Sequence, residues 1–143
     1  MDTQPAAQRM AAGESSDMML VDTDILIDNL RRIETAIARL EQEEQRATLA
    51  VSSVTRWELL SGCANKVQQN KMLSFLQRFE LLRITADIDA EADALLNRYM
   101  LSHGLLMADA LIAATAKVTN CPLLSKNQKD FRFIEGLDLL PYP

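Results

Sequence analysis

The chain has 143 residues, 48% of them hydrophobic, a net charge of -5, one histidine and two cysteines, Cys63 and Cys121, far apart. That length makes one domain, able to bury about two-thirds of its unfolded surface without disulfides or a structural metal. The lone histidine and absent CxxC argue against zinc, the acid excess against a passive nucleic-acid binder, and no apolar run nears the roughly 20 residues of a membrane span.

Residues 1–17 are polar and rich in small side chains, with no apolar segment like that of a signal peptide. They read as a disordered lead-in to a domain over 18–143, with Met10, Met18 and Met19 as alternative starts. Reduced thiols fit the cytoplasm. From Met18 onward short apolar runs alternate with amphipathic ones, the pattern of an α/β protein. Met18 to Val21 predicts a buried strand ending at Asp22. Ile25, Leu26, Ile27 and Leu30, then Ile33, Ile37 and Leu40 at helical spacing, predict a helix pair. Thr48 to Val51 is the second strand. Thr55 to Leu60 opens a helix interrupted near Gly62, and Val67 to Phe79 continues helical. Leu81 to Ile84 is the third strand. Ile88 to Ser102 is an amphipathic helix with Gly104 as its stop. Ala108 to Val118 is an alanine-rich helix, Pro122 to Leu124 a fourth apolar run, and Leu137 to Leu140 a last edge strand.

Asp22, Glu58, Asp109 and the Asn127/Asp130 pair each fall where an apolar run gives way to a helical one. In a parallel sheet such junctions lie along one edge, where ligands bind. Carboxylates about 4 Å apart repel by roughly 4 kcal/mol per pair at an effective dielectric near 20. A cluster therefore calls for a cation, and oxygen-only ligands favour Mg2+ or Mn2+.

Each position also has a plain structural reading. Asp22 suits an N-cap, with Thr23 sharing that work or supporting a metal ligand from behind. Thr55 to Glu58 has the spacing of a capping box. Asp109 suits the dipole of a helix start, yet its small and apolar neighbours make a costly place for an unpaired charge. Asn127 fits a turn and Asp130 the cap of a short helix. Lys126, Lys129 and Arg132 can meet phosphates or water. Asp24 and Asp28 pair with Arg31 or Arg32, Asp24 alternatively standing behind the acids. His103 reads as a dipole-favoured helix end rather than a base, and Trp57 as a core or dimer contact.

In order and spacing these segments resemble the PIN-domain ribonucleases, specifically the VapC-type toxins of bacterial toxin–antitoxin pairs, over about Met18 to Leu139. Leu20-Val21-Asp22-Thr23-Asp24-Ile25 resembles the family's opening strand and first acid, and Ser52 to Gly62 its second motif, with Glu58 at the glutamate's place. Gly104 to Ala116 is similar to the segment carrying the third acid, Asp109. Leu124 to Phe131 resembles the fourth motif, with Ser125 where threonine is commoner and Asn127 where many relatives have an acid, so either Asn127 or Asp130 completes the site.

The resemblance implies a PIN-like three-layer sandwich, a small parallel sheet flanked by helices. It implies that Asp22, Glu58 and Asp109 bind one or two Mg2+ or Mn2+ ions for attack on an RNA phosphodiester. It also implies an antitoxin partner placing a basic segment in the acidic cleft, and a homodimer, with Leu73 and Phe75 as candidate contacts. Two other readings compete. Asp22-Thr23-Asp24 begins like a haloacid-dehalogenase-type phosphatase, but no further motif of that chemistry follows. A catalytically inactive PIN-like interaction module would tend to have lost acids that are all present here.

Overall fold

A computed structural model describes residues 17–143; the lead-in expected over 1–17 lies, but for Asp17, outside the described residues. The elements run β1 Met18–Val21, α1 Thr23–Leu30, α2 Glu34–Glu44, β2 Thr48–Ser52, α3 Ser53–Ser61, α4 Lys66–Leu76, β3 Glu80–Leu82, α5 Ala86–His103, α6 Met107–Val118, β4 Leu123–Leu124 and α7 Gln128–Phe131. The four strands form one sheet in the order β3-β2-β1-β4, and every pairing is parallel.

Helices cover both faces of this sheet, which is why its strands read as unbroken apolar runs rather than alternating ones. Met18 and Leu20 of β1, Ala50 of β2 and Leu123 of β4 pack against α5 and α6, whose Ile88, Ala92, Ala110, Ala113 and Ala114 let the layers approach closely. Met19, Val21, Leu49, Val51 and Leu124 point the other way, to Ile25, Leu26, Leu40 and Leu76. The result is the expected three-layer sandwich. Among the described residues no helix is long and apolar enough to cross a membrane. Phe131 of α7, with 0% exposure, plugs the α6 side of the core. Phe131→Ala is expected to lower stability by about 3–5 kcal/mol, read as a shift of the urea midpoint at unchanged slope.

Gly104 stops α5 in the left-handed conformation at φ 68°, as its position in the sequence predicts. Three expectations need correction. The third strand is Glu80–Leu82 rather than Leu81 to Ile84, because the chain leaves the sheet's edge at Arg83. The strand expected over Leu137 to Leu140 is a single parallel bridge between Leu123 and Leu139. Of the two places expected for Trp57, core or dimer contact, the first is excluded, since it is 55% exposed.

Candidate active site

All four strands point their carboxyl ends to one edge, and the helices that follow begin there. Asp22, in the turn from β1 into α1, is only 4% exposed. It is the N-cap of α1, accepting at Oδ1 from the Thr23 N–H at 2.8 Å. Its other oxygen accepts from the Ser125 hydroxyl at 2.7 Å, just past β4. Asp22 is thus both a cap and a member of the cluster. Ser125 Oγ in turn accepts from the Asn127 N–H at 3.0 Å, so one buried hydroxyl ties the first motif to the fourth. Ser125→Ala is expected to lower stability by about 1.5–3 kcal/mol, as a buried carboxylate loses its donor. Ser125→Thr is expected to retain most of it, and thermal melts of the two variants decide.

The capping box expected at Thr55 does not form. The N-cap of α3 is Ser52, whose side chain accepts from the Thr55 N–H at 3.1 Å. Glu58 is therefore free to turn towards α1, where the Thr23 hydroxyl donates to its Oε1 at 2.7 Å. The hydroxyls of Thr23 and Thr55 lie 2.9 Å apart. A hydroxyl has one proton, and the carboxylate can only accept, so Thr23 gives its proton to Glu58 and accepts from Thr55. A buried pair of threonines thereby aims an exposed glutamate.

Asp109 lies in the first turn of α6, whose N-cap Leu106 offers no side-chain acceptor. It shares a small recess of about 130 Å³ with Asp130, His103 and Phe133. Asp130 sits within α7 rather than capping it, and Asn127, at the N-cap place, makes no side-chain cap bond. Of the two candidates for the fourth position, Asp130 is the one whose charge acts on Asp109. His103 stacks on Phe133 at 4.3 Å between ring centres, at the end of α5 as expected.

Sequence reasoning placed Asp24 mainly in a salt bridge with Arg31 or Arg32, and the structure overturns this. Its Oδ2 is buried with no hydrogen-bond partner, while Oδ1 lies 3.5 Å from the Lys126 N–H. Asp28 pairs not with an arginine but with Lys126 at 2.9 Å. The spacing Asp22-Thr23-Asp24 at a strand end was the signal for Asp24, and a cap with its first-turn acid explains the same spacing.

The electrostatics report crowding. Burial, then the charge of Asp24, then that of Asp109, push the Asp22 carboxyl up to about 7 against the bonds from Ser125 and Thr23. Burial and the charges of Asp130, Glu58 and Asp24 push Asp109 up to about 6. Asp24 is raised as well, chiefly by burial. Asp22, Asp24 and Asp109 are thus held up in one crowded group, with the charges of Glu58 and Asp130 bearing on Asp109. Among the described residues no three His, Cys, Asp or Glu side chains converge closely enough, as placed, to grip one ion. The donor set nonetheless fits a hard divalent cation: it is all oxygen, incompletely neutralised, and has a buried carboxylate oxygen without a donor.

Fold and site together define a small parallel α/β domain with a carboxylate-lined cleft at the carboxyl edge of its sheet. The chain belongs to the PIN domain family, whose profile matches residues 19–137. It is 33% identical over 121 residues to "Ribonuclease VapC10" of Mycobacterium tuberculosis, covering 84% of this chain and 90% of that protein. Its fold is similar to a toxin–antitoxin complex from Klebsiella pneumoniae, with a TM-score of 0.73 and 32% identity over 87% of this chain and 98% of that one. It is also similar to VapBC2 from Rickettsia felis, solved with a DNA fragment from its promoter, with a TM-score of 0.75 and 26% identity over 88% and 99% of the two chains.

Proposed function

We propose that this protein is an endoribonuclease that hydrolyses RNA phosphodiesters with Mg2+ or Mn2+ held by Asp22, Asp109 and Glu58, and that it is the toxin of a toxin–antitoxin pair. The observation that carries this reading is the acid group, gathered from four separate chain segments onto one edge of the sheet and left short of positive charge. A bound divalent ion would polarise a phosphate oxygen and lower the pKa of an attacking water. The chain's own residues supply position. Ser125 and the Thr23 N–H fix the plane of the Asp22 carboxylate. Thr23, itself held by Thr55, fixes that of Glu58. Asp130 stands beside Asp109 to accept a proton from the attacking water; Asn127, which gives its N–H to Ser125, supports the loop.

The ribonuclease name of its relatives and the toxin–antitoxin assemblies of its structural neighbours support the same reading. An antitoxin has two features to meet: the acid group, suited to a basic segment, and a groove of about 770 Å³ running from Glu58 past Ile27, Leu59, Met72 and Phe75. A homodimer belongs to the proposal too; Leu73 and Phe75 are half-buried, whereas Leu101, Leu106 and Met107 are 100%, 67% and 71% exposed.

The deciding experiment is cleavage of total tRNA and of a structured RNA by purified chain with Mn2+, with Mg2+ and with EDTA. Metal-dependent cutting is expected, and absent from Asp22→Asn and Asp109→Asn variants purified identically. No cutting with either metal by folded chain free of bound partner would overturn the proposal. Cutting that persists in EDTA or in both variants is a contaminant's and is removed by further purification before that comparison.

A further inference from the structure

Each acid of this site repels the polyanion it is proposed to cut, so a strand entering the cleft needs a cation at its rim. Among the described residues, Arg39 and Arg46 hold the buried Glu43, Arg78 holds Glu44, Lys117 holds Glu91 and Arg98 holds Glu135, all away from the acid group. Lys126 is different. It directly follows Ser125, and its backbone N–H faces Asp24 Oδ1 at 3.5 Å. Its ammonium lies 2.9 Å from Asp28 Oδ2, and its side chain is 48% exposed. Just outward lies an open recess of about 300 Å³ lined by Asp28, Ile33, Thr35, Lys126, Tyr142 and Pro143. The lysine end of this pair is solvent-exposed while the Asp28 side chain is only 14% exposed, so the ammonium is free to swing outward, and a phosphate must offset the charge it leaves on Asp28.

We propose that Lys126 is a substrate-positioning residue. Its ammonium leaves Asp28 for a phosphate of the RNA strand beside the one being cut, and the strand continues across the recess beneath Tyr142. Asp28 is the latch that parks the lysine when no strand is bound. This inference rests on the RNA reading of the site given above. A lysine suits the task because its three donors on a flexible stem follow a moving phosphate without demanding one geometry. Contacts of this kind carry no sequence information and set register instead.

The test separates binding from cutting. Full-length chain carrying Asp109→Asn is titrated with a short single-stranded RNA in Mg2+ across a range of salt, read by fluorescence anisotropy. Adding Lys126→Ala is expected to weaken binding about fivefold and to shrink the slope of log affinity against log salt by about 0.7, one phosphate contact on a single strand. Lys126→Arg is expected to restore the slope. Asp28→Asn is expected to tighten binding about two- to threefold more when Lys126 is present than when it is alanine, the coupling that identifies a latch beyond simple relief of repulsion. In the active chain Lys126→Ala is expected to raise KM about fivefold with kcat within about twofold. Unchanged affinity and slope in Lys126→Ala, while the unaltered chain still cuts RNA, would overturn the role of Lys126 and leave the ribonuclease reading standing. A Lys126-dependent slope in a chain that never cuts would support the positioning role and overturn the ribonuclease reading.

Discussion

Asp22→Asn is expected to reduce metal-dependent RNA cleavage by at least about 10²–10³-fold, the scale on which enzymes lose rate when one preorganised electrostatic partner is removed. The same change is expected to raise the melting temperature of the metal-free protein at pH 8. Asp22 is 4% exposed and its carboxyl is pushed up to about 7, so at pH 8 the fold holds a charge it disfavours. Asparagine keeps an oxygen for the Thr23 N–H and an amide that Ser125 Oγ can accept from, while removing that charge. Two measurements on one variant therefore move in opposite directions: activity down, stability up. A variant that loses activity and melts lower would mean that Asp22 is chiefly the cap of α1.

Without metal, the protein is expected to become less stable as pH rises from about 4 to about 8, and divalent metal is expected to reverse the fall. The sign follows from the direction of the shifts. Asp22 and Asp109 titrate near 7 and 6 in the folded chain, against about 3.9 when unfolded. Between those values the folded state binds more protons than the unfolded one, so stability drops with pH and levels off above about 7. For Asp22, a shift of roughly three units corresponds to about 4 kcal/mol at most; half-exposed Asp109 adds less. Glu44, held low by its Arg78 bond, and Glu43, held low by Arg46 and Arg39 against the desolvation that raises it, act oppositely, but below pH about 4.5. Saturating Mn2+ or Mg2+ is expected to raise the melting temperature more at pH 8 than at pH 5, because the ion competes with protons for the same oxygens. A melting temperature independent of pH from 5 to 8, or equally raised by metal at both ends, would sink this account.

The sequence made the sheet's two central strands plain, because a strand buried on both faces is a continuous apolar run, as in Met18 to Val21 and Thr48 to Val51. Its edges were less legible. Leu123–Leu124 and Glu80–Leu82 are too short to carry a pattern of their own, and neighbouring apolar residues such as Ile84 and Leu137 were drawn into the predicted strands. At the site, the acids stood out because each lies at a junction, and junctions of parallel strands share an edge. The misreading of Thr55 was chemical: three hydroxyl residues lie close together, and only the end of β2 decides that Ser52 is the cap. Asp24 was undervalued because what makes it part of the group is its burial and the charge it exerts on Asp22 and on the sequence-distant Asp109, while the distant Lys126 N–H, 102 residues on, faces its Oδ1.

That same distance has a consequence for synthesis. The hydrogen bond from Ser125 to Asp22 joins residues 103 apart, and β4 enters the sheet only by pairing beside β1. A nascent chain still lacking residues 123–131 has no donor for the second oxygen of Asp22, no Phe131 to close the core and no Asp130 beside Asp109. If the protein cuts RNA, a half-made or prematurely ended copy is inert towards the transcript and ribosome that produce it. The topology thereby makes completion of the acid group wait for residues 123–131.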